Sequence, residues 1–353
     1  MIEFSRILVI RLSSIGDIVL ASPLLRVLRT NFPNSQIDFF IKKEFAELIR
    51  YNPNINTIYE FNSSDGWKGL RALKKKIKAE HYDLVIDIHN LLRSNYLRSN
   101  IGAKHILTIN KRILKRTALV KFKWNIYDYG IPIPERYIEP LKPFSIINDN
   151  KGLELFFPDE VRLNVSDRVA KEQLQAYGYT IGICPSAKHF TKRWQLERFS
   201  ELGILLAKNL KSKIFVFGGY TDKDLGAAIS SQINSTAGNK TAMNFCGEFS
   251  ILETASAMEL CDLIVTNDSG LLHIASAMKR KIVAIFGSTV REFGFFPYMS
   301  DAVVLELKDL RCRPCSHIGR NRCPKGHFKC MKDISVEMVY KEINKKLADL
   351  KLN

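Results

Sequence analysis

Short apolar runs alternate along the chain with longer segments in which apolar residues recur at helical spacing. Pro23 interrupts the first helical pattern, Ile18–Thr30, so this helix is either kinked or begins near Ser22 with proline at its first position. The apolar runs predict strands in the first half at Arg6–Ile10, Ile37–Ile41, Thr57–Phe61, Asp83–Ile88 and His105–Ile109. In the second half they predict strands at Thr180–Cys184, Lys213–Phe217, Met243–Cys246, Asp262–Thr266, Lys281–Phe286 and Val303–Leu307.

The helical patterns lie between these strands, at Ile18–Thr30, Lys43–Arg50, Trp67–Ala79, Leu91–Ser99, Gln195–Asn209, Asp222–Ile233, Ile251–Cys261, Leu271–Met278 and Ser335–Leu350. Tyr127–Pro158 breaks the alternation with five prolines and little periodicity, which predicts an irregular connection. Two blocks of alternation predict two doubly wound parallel-sheet α/β domains, residues 1–165 and 166–334, with ligands at the carboxyl ends of the strands.

Net charge adds the first functional constraint. The 353 residues carry a formal charge of +17, which indicates an anionic partner: nucleic acid, a membrane surface or a phosphorylated substrate. Between Arg93 and Trp124 the chain has nine lysines and arginines and no acidic residue. This basic stretch is either a contact surface, which we favour, or a solvated face.

Membrane, export and disulfide signals are weak. No stretch approaches the roughly 20 apolar residues of a membrane span, and the N-terminus lacks the long apolar core of a secretory signal. We therefore expect a cytoplasmic protein, which could still bind to a membrane surface. The odd number of cysteines, seven, argues against a framework of disulfides.

The stretch RLSSIGDIVLASPLLRVLR, residues 11–29, has a carboxylate where the first strand turns into a helix. An aspartate near a helix start commonly caps the helix. A carboxylate at the mouth of a strand can also take a proton in a reaction. From the residues alone, Asp17 is a cap, a general base or both.

The strongest motif of the second half is DLIVTNDSGLLHIASAMKRKIVAIFGST, residues 262–289. A strand of the buried type leads into Asp268, Ser269 and Gly270, where a helix begins and its free N–H groups suit a diphosphate. His273 lies four residues after Ser269, near the same mouth of the helix. The alternative is a capped helix with a hydrogen-bonded core histidine.

A second loop, PSAKHFTKRWQLERFSEL, has Lys192 and Arg193 just before a helix. Cations at a helix start oppose the helix dipole, so phosphate binding explains them better than stability does; a solvated basic loop is the alternative. Gly218 and Gly219 follow another strand, which is a weak signal. Neither G-x-G-x-x-G after the first strand nor G-x-x-x-x-G-K-[ST] occurs, which argues against a dinucleotide oxidoreductase and a P-loop phosphotransferase.

The segment CRPCSHIGRNRCPKGHFKC, residues 312–330, contains enough cysteine and histidine for a tetrahedral zinc site. The ligands would be Cys312, Cys315, Cys323 and Cys330. Their spacing matches no standard zinc finger, so we favour free or redox-sensitive thiols in a basic loop and predict no metal site.

Four segments together resemble the heptosyltransferase family, glycosyltransferase family 9: ILVIRLSSIGDIVLASPLLRVLR, KRWQLERFSEL, CDLIVTNDSGLLHIASAMKRKIVAIFGST and CPKGHFKCMKDISVEMV. The resemblance implies the GT-B fold, in which two Rossmann-like domains face a central cleft and a last helix, here within residues 335–353, packs back on the first domain. It also implies transfer of heptose, or a related sugar, from an ADP-sugar to the inner core of bacterial lipopolysaccharide.

The resemblance further implies roles for the candidate residues. The reaction would be inverting and would need neither a metal nor a cofactor, with Asp17 deprotonating the acceptor hydroxyl. Lys192 would neutralise the leaving diphosphate. The other donor contacts would come from Arg193, Asp268, Ser269, Gly270, Leu271 and His273, and the acceptor loop from Arg11, Ser13, Ser14 and Gly16.

The implied acceptor is a phosphorylated, lipid-linked saccharide, so the basic first domain would also face the anionic inner surface of the cytoplasmic membrane. One alternative is a transferase of the same fold that uses another nucleotide sugar. Others are a basic nucleic-acid-binding protein and a zinc-stabilised interaction module. We expect no nucleic-acid partner, because the basic residues are not joined to a recognisable reading motif.

Overall fold

Runs of aliphatic and β-branched residues form two separate parallel sheets. The computed structural model describes residues 3–348, and within that range it contains eleven strands. Every predicted strand is present, with ends that differ by no more than one or two residues. The strands are β1 (Arg6–Ile10), β2 (Gln36–Lys42), β3 (Thr57–Phe61), β4 (Leu84–Asp87), β5 (His105–Thr108), β6 (Tyr179–Cys184), β7 (Ser212–Val216), β8 (Ala242–Asn244), β9 (Leu263–Asn267), β10 (Lys281–Phe286) and β11 (Ala302–Glu306).

Helices connect these strands and cover the sheets. The α-helices are α1 (Ile15–Val19), α2 (Ser22–Asn31), α3 (Gly66–Ala79), α4 (Leu92–Arg98), α5 (Ile113–Thr117), α6 (Ile133–Ile138), α7 (Asp159–Val169), α8 (Leu196–Leu210), α9 (Lys223–Ala237), α10 (Ile251–Glu259), α11 (Gly270–Ala277), α12 (Lys329–Lys332) and α13 (Val336–Ala348). Short 3₁₀ helices lie at Lys43–Ile49, Ser63–Asp65, Glu139–Phe144, Ala170–Glu172, Leu174–Ala176, Phe190–Lys192, Tyr220–Asp222 and Arg291–Phe293, and a π-helix at Ala118–Phe122.

Proline explains two differences from the predicted helices. The first predicted helix is two helices, and α2 begins at Ser22 with Pro23 as its second residue, where proline's missing N–H is not needed. The predicted irregular connection Tyr127–Pro158 contains α6 and the 3₁₀ helix Glu139–Phe144, because Pro134 and Pro140 fall in first turns. The end of the last predicted helix, beyond Ala348, lies outside the described residues.

Unit 1 is a five-stranded parallel sheet built from the described residues up to Arg112 together with Ile131–Phe157. Its strand order is β3-β2-β1-β4-β5, with Ile7 of β1 paired to Ile37 on one side and Leu84 on the other. The chain moves outward from β1 to β3 and then returns to β4. The two loops that follow β1 and β4 therefore diverge at this point, which is where ligands bind in doubly wound sheets.

Unit 2 is a six-stranded parallel sheet built from Ile113–Gly130 and the described residues from Pro158 onward. Its strand order, β11-β10-β9-β6-β7-β8, has the doubly wound pattern in full, with the reversal between β6 and β9. Its core contains fully buried residues from β6, β7, β9 and β10 and, on one face, Trp194 and Phe199. The predicted fold class, two parallel-sheet α/β domains, is confirmed.

The limits of the two units differ from the predicted domains. The boundary falls at Phe157, and Ile113–Gly130 groups with unit 2 although it precedes it in sequence. The C-terminal helix α13 packs against α8, β9 and β10 of unit 2, whereas the resemblance implied packing on the first domain. The reason is its buried apolar stripe, which completes the core of unit 2 with Val336, Val339, Ile343 and Leu347.

No helix among residues 3–348 is both long enough and apolar enough to cross a bilayer.

Candidate active site

Asp17 lies at the strand reversal of unit 1, just beyond the end of β1. It is the third residue of α1, and its Oδ2 accepts hydrogen bonds from the Ser14 hydroxyl at 2.8 Å and from the Ser14 backbone N–H at 3.3 Å. These bonds satisfy groups at the start of the helix, so the carboxylate is a cap. Ser13 and Ser14 lie in the loop that leads into α1, and Gly16 is the second residue of the helix.

Arg11 holds the other oxygen of this carboxylate. Its Nη2 lies 2.7 Å from Asp17 Oδ1, and the side chains of the pair are only 12% and 18% exposed. Arg11 also donates from Nη1 to the Ile88 carbonyl at 2.7 Å and from Nε to the Ser13 carbonyl at 2.6 Å. The guanidinium thus ties the β1 loop to the end of β4. These three contacts of the guanidinium are all internal to unit 1.

The environment of Asp17 keeps it ionised. Burial raises the pKa of the Asp17 carboxyl, but the charge of Arg11 and the hydrogen bonds from Ser14 outweigh burial and lower the pKa below its ordinary value. Tyr137 of α6 donates its hydroxyl to Asp17 Oδ1 at 3.3 Å, and burial raises the pKa of this phenol, which therefore stays protonated. We call Arg11, Ser14, Asp17 and Tyr137 the Asp17 cluster.

His89 follows β4, beside the Asp17 cluster. Its backbone N–H donates to Asp87 Oδ1 at 2.9 Å, and Asp87 Oδ2 pairs with Arg98 Nε at 3.0 Å. Burial, reinforced by the charge of Arg11, lowers the pKa of His89 to about 3, so its ring is neutral at physiological pH. A neutral imidazole in this position can exchange hydrogen bonds with a sugar hydroxyl without adding charge.

Unit 2 has its own charged pair at the reversal between β6 and β9. Lys192, in the loop after β6, has its Nζ 2.7 Å from Asp268 Oδ2, in the loop after β9. The same carboxylate oxygen accepts the Thr289 hydroxyl, from the loop after β10, at 2.6 Å. The Lys192 and Asp268 side chains are only 14% and 5% exposed. We call Lys192, Asp268 and Thr289 the Lys192 cluster.

Neighbouring polar bonds fix the loop of Lys192. Asn267 at the end of β9 donates to the Pro185 carbonyl at 2.7 Å and accepts the Trp194 N–H at 3.0 Å, so it joins both ends of this loop. Arg193, predicted as a donor contact, directs its Nε to the Ala187 carbonyl at 2.6 Å. Arg193 therefore stabilises the loop from inside.

The start of α11 lies next to the Lys192 cluster. Ser269 is its N-cap residue and Gly270 and Leu271 open its first turn, where the N–H groups have no partners within the helix. Within residues 3–348 the Ser269 hydroxyl is shielded from solvent and has no hydrogen-bond partner. His273, the fourth residue of α11, is 3% exposed, and its ring centroid lies 6.5 Å from that of Phe295.

The cysteine-rich segment, residues 312–330, packs against the loop of Lys192. Thr191 donates its backbone N–H to the Arg320 carbonyl at 3.1 Å and accepts the Arg320 N–H on its hydroxyl at 2.8 Å. The rings of Phe190 and Phe328 stack at 4.8 Å. A cavity of about 770 Å³ opens beside this contact, lined by His189, Gly319, Arg320, Asn321, Arg322, Cys323, Pro324 and Gly326. The Lys192 cluster does not line that cavity. We therefore place the candidate site at the strand reversal of unit 2 and not in the cavity.

The cysteines of this segment are free thiols, as are all seven cysteines. Cys312, Cys315, Cys323 and Cys330 line one small cavity, and burial raises the pKa of Cys330 to about 12. In the described part of the chain, no group of three or more histidine, cysteine, aspartate or glutamate side chains is arranged to hold a metal ion. The zinc alternative therefore has no support in this geometry.

Three residues of the two clusters and their surroundings were missed from the sequence. Tyr137 is 120 residues from Asp17, in the stretch predicted to be irregular, and no local signal marks it. His89 had a signal, because it follows a strand beside β1. Thr289 also had one, at the end of the motif that contains Asp268.

Two doubly wound parallel sheets, each with a largely buried charged pair at its strand reversal, have the ligand-binding architecture of an α/β enzyme. The chain belongs to glycosyltransferase family 9 (heptosyltransferase), whose sequence profile matches residues 70–324. The predicted family is thereby confirmed, and membership favours the enzyme over the nucleic-acid-binding and interaction-module alternatives.

Relatives match over nearly the whole chain. Lipooligosaccharide heptosyltransferase 2 of Campylobacter jejuni (strain 81116) is 28% identical over 334 residues, which are 94% of this chain and 96% of the relative. Lipopolysaccharide heptosyltransferase 2 of Escherichia coli K12 is 25% identical over 363 residues, 96% and 97% of the two chains. Among solved structures, the family 9 glycosyl transferase of Veillonella parvula matches with a TM-score of 0.81 at 25% identity and covers 99% of each chain. The E. coli ADP-heptose lps heptosyltransferase II has the same fold, with a TM-score of 0.74 at 23% identity, and the match covers 98% of this chain and 99% of that one.

Proposed function

We propose that this enzyme transfers heptose from ADP-heptose to an acidic, lipid-linked acceptor of the lipopolysaccharide inner core. The observation that carries the proposal is Asp17, an ionised carboxylate at the strand reversal of unit 1 in a chain of the heptosyltransferase family. The names of the curated relatives, lipooligosaccharide and lipopolysaccharide heptosyltransferases, support the acceptor class. The ADP-sugar donor rests on the motifs that resemble the family.

Asp17 is the proposed general base. It accepts the proton of the acceptor hydroxyl as that oxygen attacks the anomeric carbon of the heptose. The bond from this carbon to the diphosphate then breaks, ADP leaves with the electron pair, and the configuration at the carbon inverts. Tyr137 and Arg11 hold the carboxylate in position, and His89 is available to a sugar hydroxyl.

The Lys192 cluster is the proposed site for the leaving diphosphate. The ammonium of Lys192 supplies the positive charge that stabilises ADP as it departs, so this mechanism requires no metal. Asp268 pairs with that ammonium and accepts the Thr289 hydroxyl, which gives Asp268 a positioning role in place of the direct donor contact that the resemblance implied. The first-turn N–H groups of α11 and the Ser269 hydroxyl are the remaining donors toward phosphate oxygens.

A lipid-linked acceptor implies that the enzyme works at the inner face of the cytoplasmic membrane. The nine lysines and arginines between Arg93 and Trp124 supply charge for a phosphorylated acceptor and an anionic leaflet. This stretch belongs to both units, because the division at Arg112 cuts through it.

The decisive test is the Asp17→Asn variant. It keeps the size of the side chain but removes the base, so turnover of ADP-heptose with a lipopolysaccharide core acceptor should fall by about 10²–10⁴-fold. Binding of ADP to the variant, measured by calorimetry, should be unchanged. The matched control is Asp149→Asn, which neutralises a second Asp–Arg pair of unit 1, with Arg26, away from the strand ends.

If Asp17→Asn retained turnover, Asp17 would be a cap only. A panel of nucleotide sugars tests the alternative that the enzyme uses a donor other than ADP-heptose. Turnover with a different nucleotide sugar, and none with ADP-heptose, would keep the transferase and replace the donor.

A further inference from the structure

The segment of residues 113–130 exposes an unusual amount of apolar surface. Large apolar side chains of a folded protein are exposed singly as a rule, and a cluster of them marks an interaction surface. Here six lie within seventeen residues, with exposed fractions between 51% and 84%: Ile113, Leu114, Phe122, Trp124, Ile126 and Tyr129. We call them the apolar set of the 113–130 segment.

The segment is anchored to unit 2, so this exposure is part of the folded structure. Lys123 Nζ donates to the carbonyls of Pro314 at 2.5 Å and Cys312 at 3.3 Å. Asn125 donates to Glu292 Oε1 at 2.8 Å. Gly130 lies so close to the turn at Arg291 that a Cβ added to it would be 2.9 Å from the Arg291 carbonyl oxygen. Phe122 and Trp124 pack on each other, with ring centroids 5.3 Å apart, and still point to solvent.

Cations alternate with the apolar set. Lys115, Arg116, Lys121 and Lys123 lie among these residues, and the sequence from Ile113 to Tyr127 has no acidic residue. The first acid is Asp128, whose carboxylate pairs with Lys115 at 3.0 Å. The segment therefore presents apolar and positively charged groups together, which is the chemistry of a surface for anionic lipid.

We propose that the 113–130 segment docks the enzyme on an anionic lipid bilayer. Leu114, Phe122 and Trp124 enter the interfacial layer, and Arg116 and Lys121 contact lipid phosphates. Aliphatic side chains gain nothing by stacking on nucleic-acid bases, whereas tryptophan and tyrosine beside cations are typical of the membrane interface. The proposal rests on the proposed function in one respect, because a lipid-linked acceptor would lie in the bilayer on which this segment docks.

Tryptophan fluorescence gives the first readout. The chain has three tryptophans, and Trp194 is 2% exposed and so insensitive to a bilayer. In a Trp67→Phe background, mixing with vesicles of phosphatidylethanolamine and phosphatidylglycerol should shift Trp124 emission to the blue, and brominated lipid should quench it. Phosphatidylcholine vesicles should give a much smaller shift, because they lack anionic lipid.

Substitutions supply the second readout, in a vesicle sedimentation assay on the otherwise unchanged protein. Phe122→Ser combined with Trp124→Ser should weaken partitioning by about tenfold or more. Lys121→Glu should weaken binding only to anionic vesicles. The matched control, Leu163→Ser with Lys171→Glu, removes an exposed apolar residue of α7 and an exposed cation of the following 3₁₀ helix and should bind like the unmodified enzyme.

Specific outcomes would overturn the proposal. Unchanged binding by Phe122→Ser/Trp124→Ser, equal loss by the control variant, or quenching by an oligonucleotide but not by brominated lipid would each do so. Activity assays with a soluble and a vesicle-embedded acceptor distinguish this proposal from the proposed function. The double variant should turn over a deacylated, water-soluble acceptor normally and a vesicle-embedded acceptor poorly. Absence of any transfer by the unmodified enzyme would refute the proposed function and leave the vesicle results standing.

Discussion

At the scale of single residues, the Asp17 cluster combines two requirements that oppose each other. A general base must be ionised, and it must also hold a proton readily. Arg11 and Ser14 satisfy the first requirement by lowering the pKa of the Asp17 carboxyl, at the expense of its basicity. The gain is a carboxylate that remains charged although its side chain is only 18% exposed.

The pH dependence of turnover should follow from this pair. With a lowered pKa, Asp17 keeps its basic form down to an unusually low pH, and activity is lost only as the pH falls through that pKa. In Arg11→Gln burial is no longer opposed by a positive charge, so the pKa rises and the acid limb of kcat/KM should move up by about 1–3 pH units. Arg26→Gln, which breaks the Asp149 pair elsewhere in unit 1, should leave the limb in place. An acid limb that did not move in Arg11→Gln would show that another group titrates.

The Lys192 cluster gives a prediction for donor binding. Thr289→Val keeps the shape of the side chain and removes the hydroxyl that bonds Asp268 at 2.6 Å. Loss of one such bond costs about 1 kcal/mol, so the KM for the donor should rise roughly fivefold while kcat changes less. Thr289→Ser should restore the KM. Thr254→Val, which removes a buried hydroxyl from α10, serves as the control for a general loss of stability. An equal change of KM in both valine variants would contradict a positioning role.

At the scale of elements, both candidate sites lie where the strand order reverses, because the loops that follow the two neighbouring strands diverge there and leave a crevice. In unit 1 the loops after β1 and β4 are joined by Arg11, and in unit 2 the loops after β6 and β9 are joined by Lys192 and Asp268. Strands in the middle of a sheet are rigid, so side chains at their ends are held in place without a large loop of their own.

Helix α9 shows how closely these layers pack. A Cβ on Gly226 would lie 2.1 Å from Asn244 Oδ1 and 2.5 Å from Cys246 Sγ. The Asn244 amide cannot move away freely, because its Oδ1 accepts the Cys246 N–H at 3.0 Å. Gly226→Ala should therefore lower the free energy of unfolding by about 1–3 kcal/mol, measured by urea denaturation. Ser231→Ala, at an exposed position of the same helix, should be close to neutral. A Gly226→Ala variant whose free energy of unfolding equals that of the unmodified protein would mean that α9 can shift outward.

At the scale of the whole molecule, the formal charge of +17 should govern encounter with an anionic acceptor. With a water-soluble core saccharide, kcat/KM should fall by about tenfold or more between low and physiological salt, because screening weakens long-range attraction. Sucrose at matched viscosity should have little effect. A kcat/KM that is flat with salt would mean that the positive surface does not steer this substrate.

The local sequence pattern predicted some features of this structure, whereas others depend on contacts between residues far apart in the chain. Parallel strands buried on both faces, such as β1, β4 and β9, appear in the sequence as continuous apolar runs, which is why they were predicted. Charged residues in the loops that follow the strands marked Asp17, Lys192 and Asp268 as candidate site residues. No such local signal marks Tyr137, whose contact with Asp17 spans 120 residues.

The sequence by itself thus determined the two blocks of strands and helices, the loops that carry charge and the family. Only the tertiary structure decided that Asp268 pairs with Lys192, that Arg11 is bound internally, and that the 113–130 segment and α13 belong to unit 2. The physical reason is that hydrophobic periodicity specifies which face of an element is buried. It does not specify which partner covers that face, because this depends on contacts between residues distant in the chain.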